Sequence, residues 1–470
     1  MKRIILIVGV LLAAGSAWAA IPADTAWEVR ATGVDTNGAG FSTASEGANG
    51  IDYSQQDSPQ VTFTGTLSAV GTTALTDSGL GFLNTHQGNV INIPGQGRYC
   101  ITGYTSSSIV TVDRAMGTFS TTTGYLGGGS LTINNSSSTQ VAGNTIWVKN
   151  GTYSITASIT SPTGATGKRI RYAGYNTTHG DLDDVTNFAN FPQVVVNNVA
   201  IYAFSLGIYI SVDNFIVSAG VGATKGTRGI SVTSYDYVDN CKVTGFSAIG
   251  IASAGGVGVT FYRDYVSGGA GTSGFYSGGA SSFEMCISSG NSCPGFYTSA
   301  GSVFINRSIS VNNTDGLYSD STYGPVVINS VFYGNSSNGI NISATNSADA
   351  CFFLNNIFAK NGAYGLKSAA AWNSIPENYN AFYSNTSGPI LNFPQGSHDI
   401  TSALTSDPFT SAGTGDFSLN STSGGGALLK AAGSFGVFPL GATTGYLDIG
   451  AAQHQDSGGA AVTRSMTFVQ

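Results

Sequence analysis

The stretch Val326-Val327-Ile328-Asn329-Ser330-Val331-Phe332, followed by Gly339-Ile340, decides the fold. Two short β-type runs meet at Asn329, and a third opens at a glycine. This unit recurs. A Gly-apolar pair stands at Gly207-Ile208, Gly229-Ile230, Gly250-Ile251, Gly274-Phe275, Gly295-Phe296, Gly316-Leu317, Gly339-Ile340 and Gly365-Leu366. The steps are 22, 21, 24, 21, 21, 23 and 26 residues. A second track moves with the first through Asn214-Phe215, Asn240-Cys241, Arg263-Asp264, Met285-Cys286, Arg307-Ser308, Asn329-Ser330, Asn355-Asn356 and Tyr379-Asn380. Two phase-locked tracks mark a structural repeat.

Within each period the apolar runs are short and broken by Gly, Asn and Ser, with no helix-length stripe of 3.6-residue period. Each repeat therefore reads as one coil of short strands stacked on its neighbours. The expected fold is all-β, a right-handed parallel β-helix solenoid of about ten coils over residues 145–395. At ~4.8 Å between strands such a rod is ~50 Å long. Asn at the corner suits a left-handed turn between sheets, and the same reason is expected for the glycine that opens the next strand. Alternation along the strand sends Cys241 and Val243 inward and Lys242 outward. The inward column then reads Cys241, Asp264, Cys286, Ser308, Ser330, Asn356, Asn380, a polar ladder with one ionisable member.

Composition agrees. Of 470 residues 41% are hydrophobic and 11% aromatic, which excludes a disordered chain, while only 9% are charged. The usual share is about 25%, and long exposed helices usually carry many such residues, which argues against an all-helical protein. Lys2 and Arg3, the apolar run from Ile4 to Ala14 and Ala17-Trp18-Ala19 read as a Sec-type signal peptide over 1–19. The expected location is secreted or cell-surface, with no transmembrane segment in the mature chain. Removing the leader takes the net charge from −7 to −9. That argues against nucleic acid and against a strongly anionic polysaccharide. Cys100, Cys241, Cys286, Cys293 and Cys351 are odd in number and read as mostly buried free thiols, with Cys241 and Cys286 two coils apart.

The ends differ from the rod. Residues 20–140 read as an N-terminal cap, in which 27–53 start the first coil and about 60–133 form a small β insertion, hairpin-like or barrel-like. Residues 141–398 are the β-helix, and 399–470 a C-terminal closing segment and tail ending in Ser465-Met466-Thr467-Phe468-Val469.

The repeat resembles the secreted right-handed parallel β-helix superfamily of pectate-lyase-like proteins, of the bacterial surface-associated type. Gly143-Asn144-Thr145-Ile146-Trp147-Val148-Lys149-Asn150-Gly151-Thr152-Tyr153 resembles an opening coil, and Asn380-Ala381-Phe382-Tyr383-Ser384-Asn385 a late one. Asp407-Pro408-Phe409, Gly415-Asp416-Phe417-Ser418-Leu419 and Asp448-Ile449-Gly450-Ala451 resemble the closing segment. The resemblance implies fold and topology over roughly 141–455. It also implies that an outer strand face with its flanking loops holds glycan.

Tyr276, Tyr297 and Tyr318 each follow a Gly-apolar pair and point outward on that alternation, with Tyr209 expected further along. Phenol rings offer apolar faces and hydroxyls to sugars, and such a ladder can equally serve strand pairing alone. Asn341 and Lys367 take the equivalent positions in later coils, Asp320 lies two residues past Tyr318, and Asp315 and Asn291 fall in adjoining turns. Asp320 and Lys367 are the catalytic candidates, weighed against plain solvated charges. A glycosidase needs two carboxyls across a sugar, and the paired-Asp, Tyr-Gly-x-Asp-Pro-His and acidic calcium-ladder motifs of the resembling enzymes are missing. Asp181, Asp183 and Asp184 after His179 are candidate Ca²⁺ ligands, weighed against a solvated loop. Asp35, Asn37 and Gly38 start a calcium-like loop without its remaining ligands. Lys168, Arg169 and Arg171 read as solvated, and Glu284 and Asp239 as single acids.

No cofactor is expected apart from that Ca²⁺ candidate. The leading expectation is a non-catalytic β-helix protein whose partner is a polysaccharide or cell-surface glycan. The alternatives are a polysaccharide lyase or glycoside hydrolase on the same face, and a tailspike-like trimer, against which the leader counts. The oligomeric state stays open.

Overall fold

The computed structural model describes residues 21–134, 140–183, 187–197, 201–220, 228–343, 351–372, 377–434 and 447–453. The leader, Asp184 and the last strand-like run lie outside them. The chain coils through three stacked sheets of parallel strands. Sheet I has twelve strands, from Ala26–Val29 through Thr145–Lys149, Ile170–Tyr175, Ile210–Asp213 and Tyr237–Asp239 to Glu377–Asn378, with Gly40–Phe41 antiparallel at its edge. Sheet II has ten, from Thr152–Ile155 to Ala381–Tyr383, and sheet III ten, from Ile159–Thr160 to Gly388–Leu391. Ten rungs give about nine full steps of the solenoid, and the described part of 145–395 holds no α-helix.

The corner between sheets I and II is the two-residue track seen in the sequence. Its first member is left-handed at every turn, from Asn214 through Asn240, Arg263, Met285, Arg307, Asn329 and Asn355 to Tyr379, with φ between 49° and 65°. Asn tolerates that region; Arg, Met and Tyr are strained there. The corner is therefore imposed by the coil and not by the residue type alone.

The residue after each corner points inward, as its alternation predicts. Cys241, Asp264, Cys286, Ser308, Ser330, Asn356 and Asn380 are all buried. The backbone N–H of Cys241 donates to Asp264 Oδ1, that of Cys286 to Ser308 Oγ, and that of Ser308 to Ser330 Oγ. Ser330 N–H continues to Asn356 Oδ1, Asn356 to Asn380 Oδ1, and Asn380 to Asp399 Oδ1. A second column runs through the turn between sheets II and III. There Asn291, Asn313, Asn335, Asn361 and Asn385 each accept the N–H of the coil before. All five cysteines are free and buried.

The glycine track has a different cause from the one expected. Gly229, Gly250, Gly274, Gly295, Gly316, Gly339 and Gly365 are not left-handed. A Cβ on Gly316 would lie 2.4 Å from the carbonyl oxygen of Gly339, and one on Gly339 2.4 Å from that of Gly365. The glycines stack backbone on backbone, so the constraint is steric. Inside, aromatic rings stack along the axis, Phe261 on Phe283 at 4.7 Å, Phe275 on Phe296 at 5.0 Å and Phe358 on Phe382 at 5.1 Å.

The N-terminal insertion is a closed six-stranded antiparallel barrel between Val61 and Leu126, with its own core of Phe63, Leu67, Phe82, Ile91 and Ile101. It interrupts the first coil, because Ala26–Val29 pairs in parallel register with Thr145–Lys149. Asp35, read as part of a calcium-like loop, instead accepts from Leu131 N–H, Thr132 N–H and Thr132 Oγ1 where the chain leaves the barrel. Asn37 is buried and donates to the carbonyls of Asp57 and Gly129.

At the other end, Ile400 closes the last rung by accepting from Phe382 N–H and donating to the Asn380 carbonyl. The chain then turns back along the outside of sheet II. Phe409, Phe417, Leu419 and Ile449 bury Ile309, Val331 and Ile357 there, and Lys360 pairs with Asp407 at 2.7 Å.

Asp264 is the ladder's weak rung. Its Oδ2 is buried without a hydrogen-bond partner, and burial pushes its carboxyl well above the usual range. With the folded-state value raised, its stabilisation is complete in acid and lost as pH rises through that value. Asp264→Asn keeps the acceptor and adds the amide donor that Asn356 and Asn380 use on Val327 and Phe353 carbonyls. The variant should be more stable by about 1–3 kcal/mol at pH 8, with a smaller gain at pH 4.5. Urea unfolding at both pH values checks this.

Candidate functional site

Three outer faces could meet a ligand. Sheet II is spent on folding. The C-terminal segment covers its later rungs, while Phe188, in the turn Phe188–Asn190, packs towards Tyr265 at 6.5 Å on its earlier ones. Sheets I and III carry the chemistry.

On sheet III the alternation of the repeat sends Phe275, Phe296 and Leu317 inward and Tyr276, Tyr297 and Tyr318 outward. The three tyrosines are register partners on consecutive strands, followed by Asn341 and Lys367. Their rings meet edge to face at 5.4 Å for each pair, an arrangement aromatic quadrupoles favour. All three are half-buried. Tyr297 donates its hydroxyl to Asp320 Oδ2 at 2.8 Å, and Tyr276 shares a 2.7 Å bond with Ser299 Oγ. Burial, then the Asp320 bond, raises the Tyr297 phenol above its ordinary range, so it stays a donor.

The rest of the expected set divides. Tyr209 is not on this ladder: it stands at the corner before Ile210–Asp213 of sheet I, left-handed at φ 60°, and stacks on Tyr235 at 5.0 Å. The coil passes position 209 after leaving sheet III, which is why its apparent match to the Gly-apolar pair misleads. Asp315 is buried and occupied by Asn338 N–H, Asn338 Nδ2 and Asn341 Nδ2. Asn291 belongs to the inner asparagine column. Asp320 is exposed and accepts from the Tyr297 hydroxyl, while Lys367 lies two rungs beyond Tyr318.

Ionisable groups converge instead on sheet I. A cleft of about 450 Å³ is lined by Arg169, Arg171, Asp213, Tyr237, Asp239 and Arg263. Ser211 and Tyr237 are register partners, as are Asp213 and Asp239. Arg171 Nε donates to Asp213 Oδ2 and its terminal nitrogen to Asp183 Oδ1 at 3.2 Å. Arg263 grips Asp239 through two bonds of 3.0 and 2.8 Å. Burial pushes Asp213 up to about 6, against the opposing pull of Arg171. The loop after Ile170–Tyr175 supplies Asp183 as a wall, and next to it His179 stacks on Trp147 at 4.3 Å and bonds Glu28 at 3.0 Å. Arg171 is thus not a solvated flank, nor Asp239 a lone acid. Their 42- and 24-residue separations from Asp213 and Arg263 hid these pairings in the sequence.

Of the calcium candidates, Asp181 and Asp183 are spent on separate partners, and Asp184 lies outside the described residues. Asp181 is consumed as a loop cap, accepting from the N–H groups of Asn176, Thr177 and Thr178, which hold its carboxyl below the usual range against burial. Asp183 faces Arg171 and Asn214 Nδ2. Among the described residues no group of three or more His, Cys, Asp or Glu could hold a metal ion.

A family model described as the right-handed β-helix region matches residues 228–387. Among solved structures, pectate lyase Pel9A superposes with a TM-score of 0.51 at 18% identity, covering 70% of this chain and 92% of its own. The periplasmic alginate epimerase AlgG gives 0.30 at 13% identity, over 56% and 76%. A GH87 α-1,3-glucanase catalytic domain gives 0.29 at 10%, over 73% and 89%. No curated protein matches the sequence.

The Arg171–Asp213 pair has a measurable consequence. Asp213 is 9% exposed at its side chain and Arg171 33%. Arg171→Met removes the compensating charge, which costs about 3 kcal/mol at pH 8, the low end for a buried pair because Arg171 is partly solvated. Since the folded Asp213 value is raised, its neutral form prevails in acid and the penalty shrinks below pH 6. Chemical unfolding of wild type and variant at pH 5 and 8 reads the difference.

Proposed function

We propose that this right-handed parallel β-helix protein is secreted or held at the cell surface and binds extracellular or cell-surface glycan through the outer face of sheet III, without transforming it. The observation that carries this is the register-locked row Tyr276, Tyr297, Tyr318 continued by Asn341. Strands ~4.8 Å apart place successive rings close to the rise per sugar of an extended chain. Each ring offers a C–H-binding face and a hydroxyl. The same row argues for binding over turnover. Glycoside hydrolysis needs two carboxyls flanking one bond; here Tyr297 bonds Asp320, while Asp315 is buried and taken up by Asn338 and Asn341.

The fold match supports a rod with long outer faces, and says nothing of the sugar. The low charge of the chain favours a neutral or weakly charged glycan, since few basic residues would offset a polyanion.

Tyr297→Ala should weaken glycan binding by about 1–2 kcal/mol, the loss of one well-placed aromatic contact. Stability should change less, because the ring is half-exposed. A glycan array followed by titration of both proteins, with thermal unfolding as control, tests it. Unchanged binding with a large fall in Tm would leave the row as a strut for strand pairing.

A further inference from the structure

At the far end of the rod an acid takes the place of a hydrocarbon in the core. The inward column of sheet I runs through Val238, Phe261, Phe283, Ile305, Val327 and Phe353, register partners on successive rungs and all buried. The next partner is Glu377, which is 4% exposed. Its carboxyl sits against the end of an apolar stack, where burial disfavours the ionised form.

The turn 394–400 folds over that end. Gly396 N–H donates to Glu377 Oε2 and to Asp399 Oδ2, at 2.9 Å each. Two carboxyls thus converge on a single donor. Glu377 Oε1 has no hydrogen-bond partner, and no Lys or Arg pairs with either acid among the described residues. Two carboxylates placed so would repel with nothing to offset them, whereas one proton between them makes the contact a hydrogen bond. Burial, then the bond to Asp399, raises Glu377 above the usual carboxylate range.

Asp399 also ties the turn to the coil. Its Oδ1 accepts from Asn380 N–H, the last bond of the inward polar ladder. Ile400 beside it closes sheet II through Phe382 N–H and the Asn380 carbonyl. The other titratable groups of this end are engaged elsewhere. His398 is exposed, stacks on Tyr379 at 4.5 Å and bonds Asn378 and Ser397 through its ring. The neighbouring strand Phe352–Leu354 and the last strand of sheet III, Gly388–Leu391, contribute no ionisable side chain.

We propose that the turn 394–400 is an acid-locked cap: a proton shared by Glu377 and Asp399 holds it on the end of the rod, and loss of that proton to solvent releases it. Glu377 binds its proton more tightly in the folded chain than in the unfolded one. The stabilisation is therefore complete in acid and is lost as pH rises through the folded-state value. Both acids are then ionised side by side next to Phe353, the turn lifts, and Asn380 N–H loses its acceptor.

The test is hydrogen exchange of the full chain at pH 5 and pH 9, corrected for intrinsic rates and read by mass spectrometry. Peptides spanning 377–401 report the cap, and peptides over 326–342 are the mid-rod control. Wild type is compared with Glu377→Gln, which keeps a donor between the two side chains at every pH. Between pH 5 and 9, protection of the cap peptides relative to the control should fall about tenfold or more in wild type, and less than about twofold in Glu377→Gln. Should Glu377→Gln fail to fold, by thermal melting at pH 5, Asp399→Asn replaces it, since its amide donates to Glu377 while its oxygen still accepts from Asn380. The proposal is overturned if wild-type protection of the cap is the same at both pH values, if the mid-rod control falls equally, or if a folded variant loses protection with pH as wild type does.

Discussion

Everything in the rod depends on one buried hydrogen bond repeated along the axis. A left-handed corner between sheets I and II turns the next backbone N–H into the interior, where water cannot reach it. A side-chain oxygen of the following coil accepts it, as Ser330 Oγ does for Ser308 and Asn356 Oδ1 for Ser330. Leaving such a donor unmet is costly. The bond therefore fixes which residue lies above which, and with it the register of all three sheets. Corners at Arg263, Met285, Arg307 and Tyr379 accept left-handed strain because the bond and the stack behind it exceed that cost.

Register then decides what the surface can do. With a period of two along each strand, locking the inner column also locks the outer one. Tyr276, Tyr297 and Tyr318 line up because Phe275, Phe296 and Leu317 stack beneath them. The glycines at the mouth of each sheet III strand let neighbouring backbones pack closely, as the Gly316–Gly339 contact demonstrates. The tyrosine row is thus carried by the same repeat that builds the core, and it extends only as far as the repeat keeps Tyr at that position.

The cleft on sheet I has another origin. Its residues come from successive rungs and from the long loop after Ile170–Tyr175, which breaks the repeat. In a chain with 9% charged residues, three arginines and three aspartates gathered around 450 Å³ are a concentration that stability does not require. Buried ion pairs add little net stability over well-packed apolar groups. The covering of sheet II by Phe409, Phe417 and Ile449 leaves this cleft and the tyrosine row as the two organised faces among the described residues.

The sequence alone determined the solenoid, its corners, its inward column and the outward tyrosines. All follow from short-range alternation and a repeat of about 22 residues, both visible in one dimension. It also placed a small β insertion at about 60–133, from strand-like runs rich in Thr, Val and Gly, and left open whether it was a hairpin or a barrel. The glycine track was legible as a pattern but not as a cause, since backbone contact between coils has no signature within one coil. Tyr209 was misplaced because a Gly-apolar pair at 207–208 looks the same whether the chain is entering sheet III or leaving it. Only the tertiary structure decided the pairs Arg171 with Asp213 and Arg263 with Asp239, and the return of the C-terminal segment over sheet II. Those contacts depend on how a loop lies across several rungs and on which outer face a tail finds apolar, and neither is set by local periodicity.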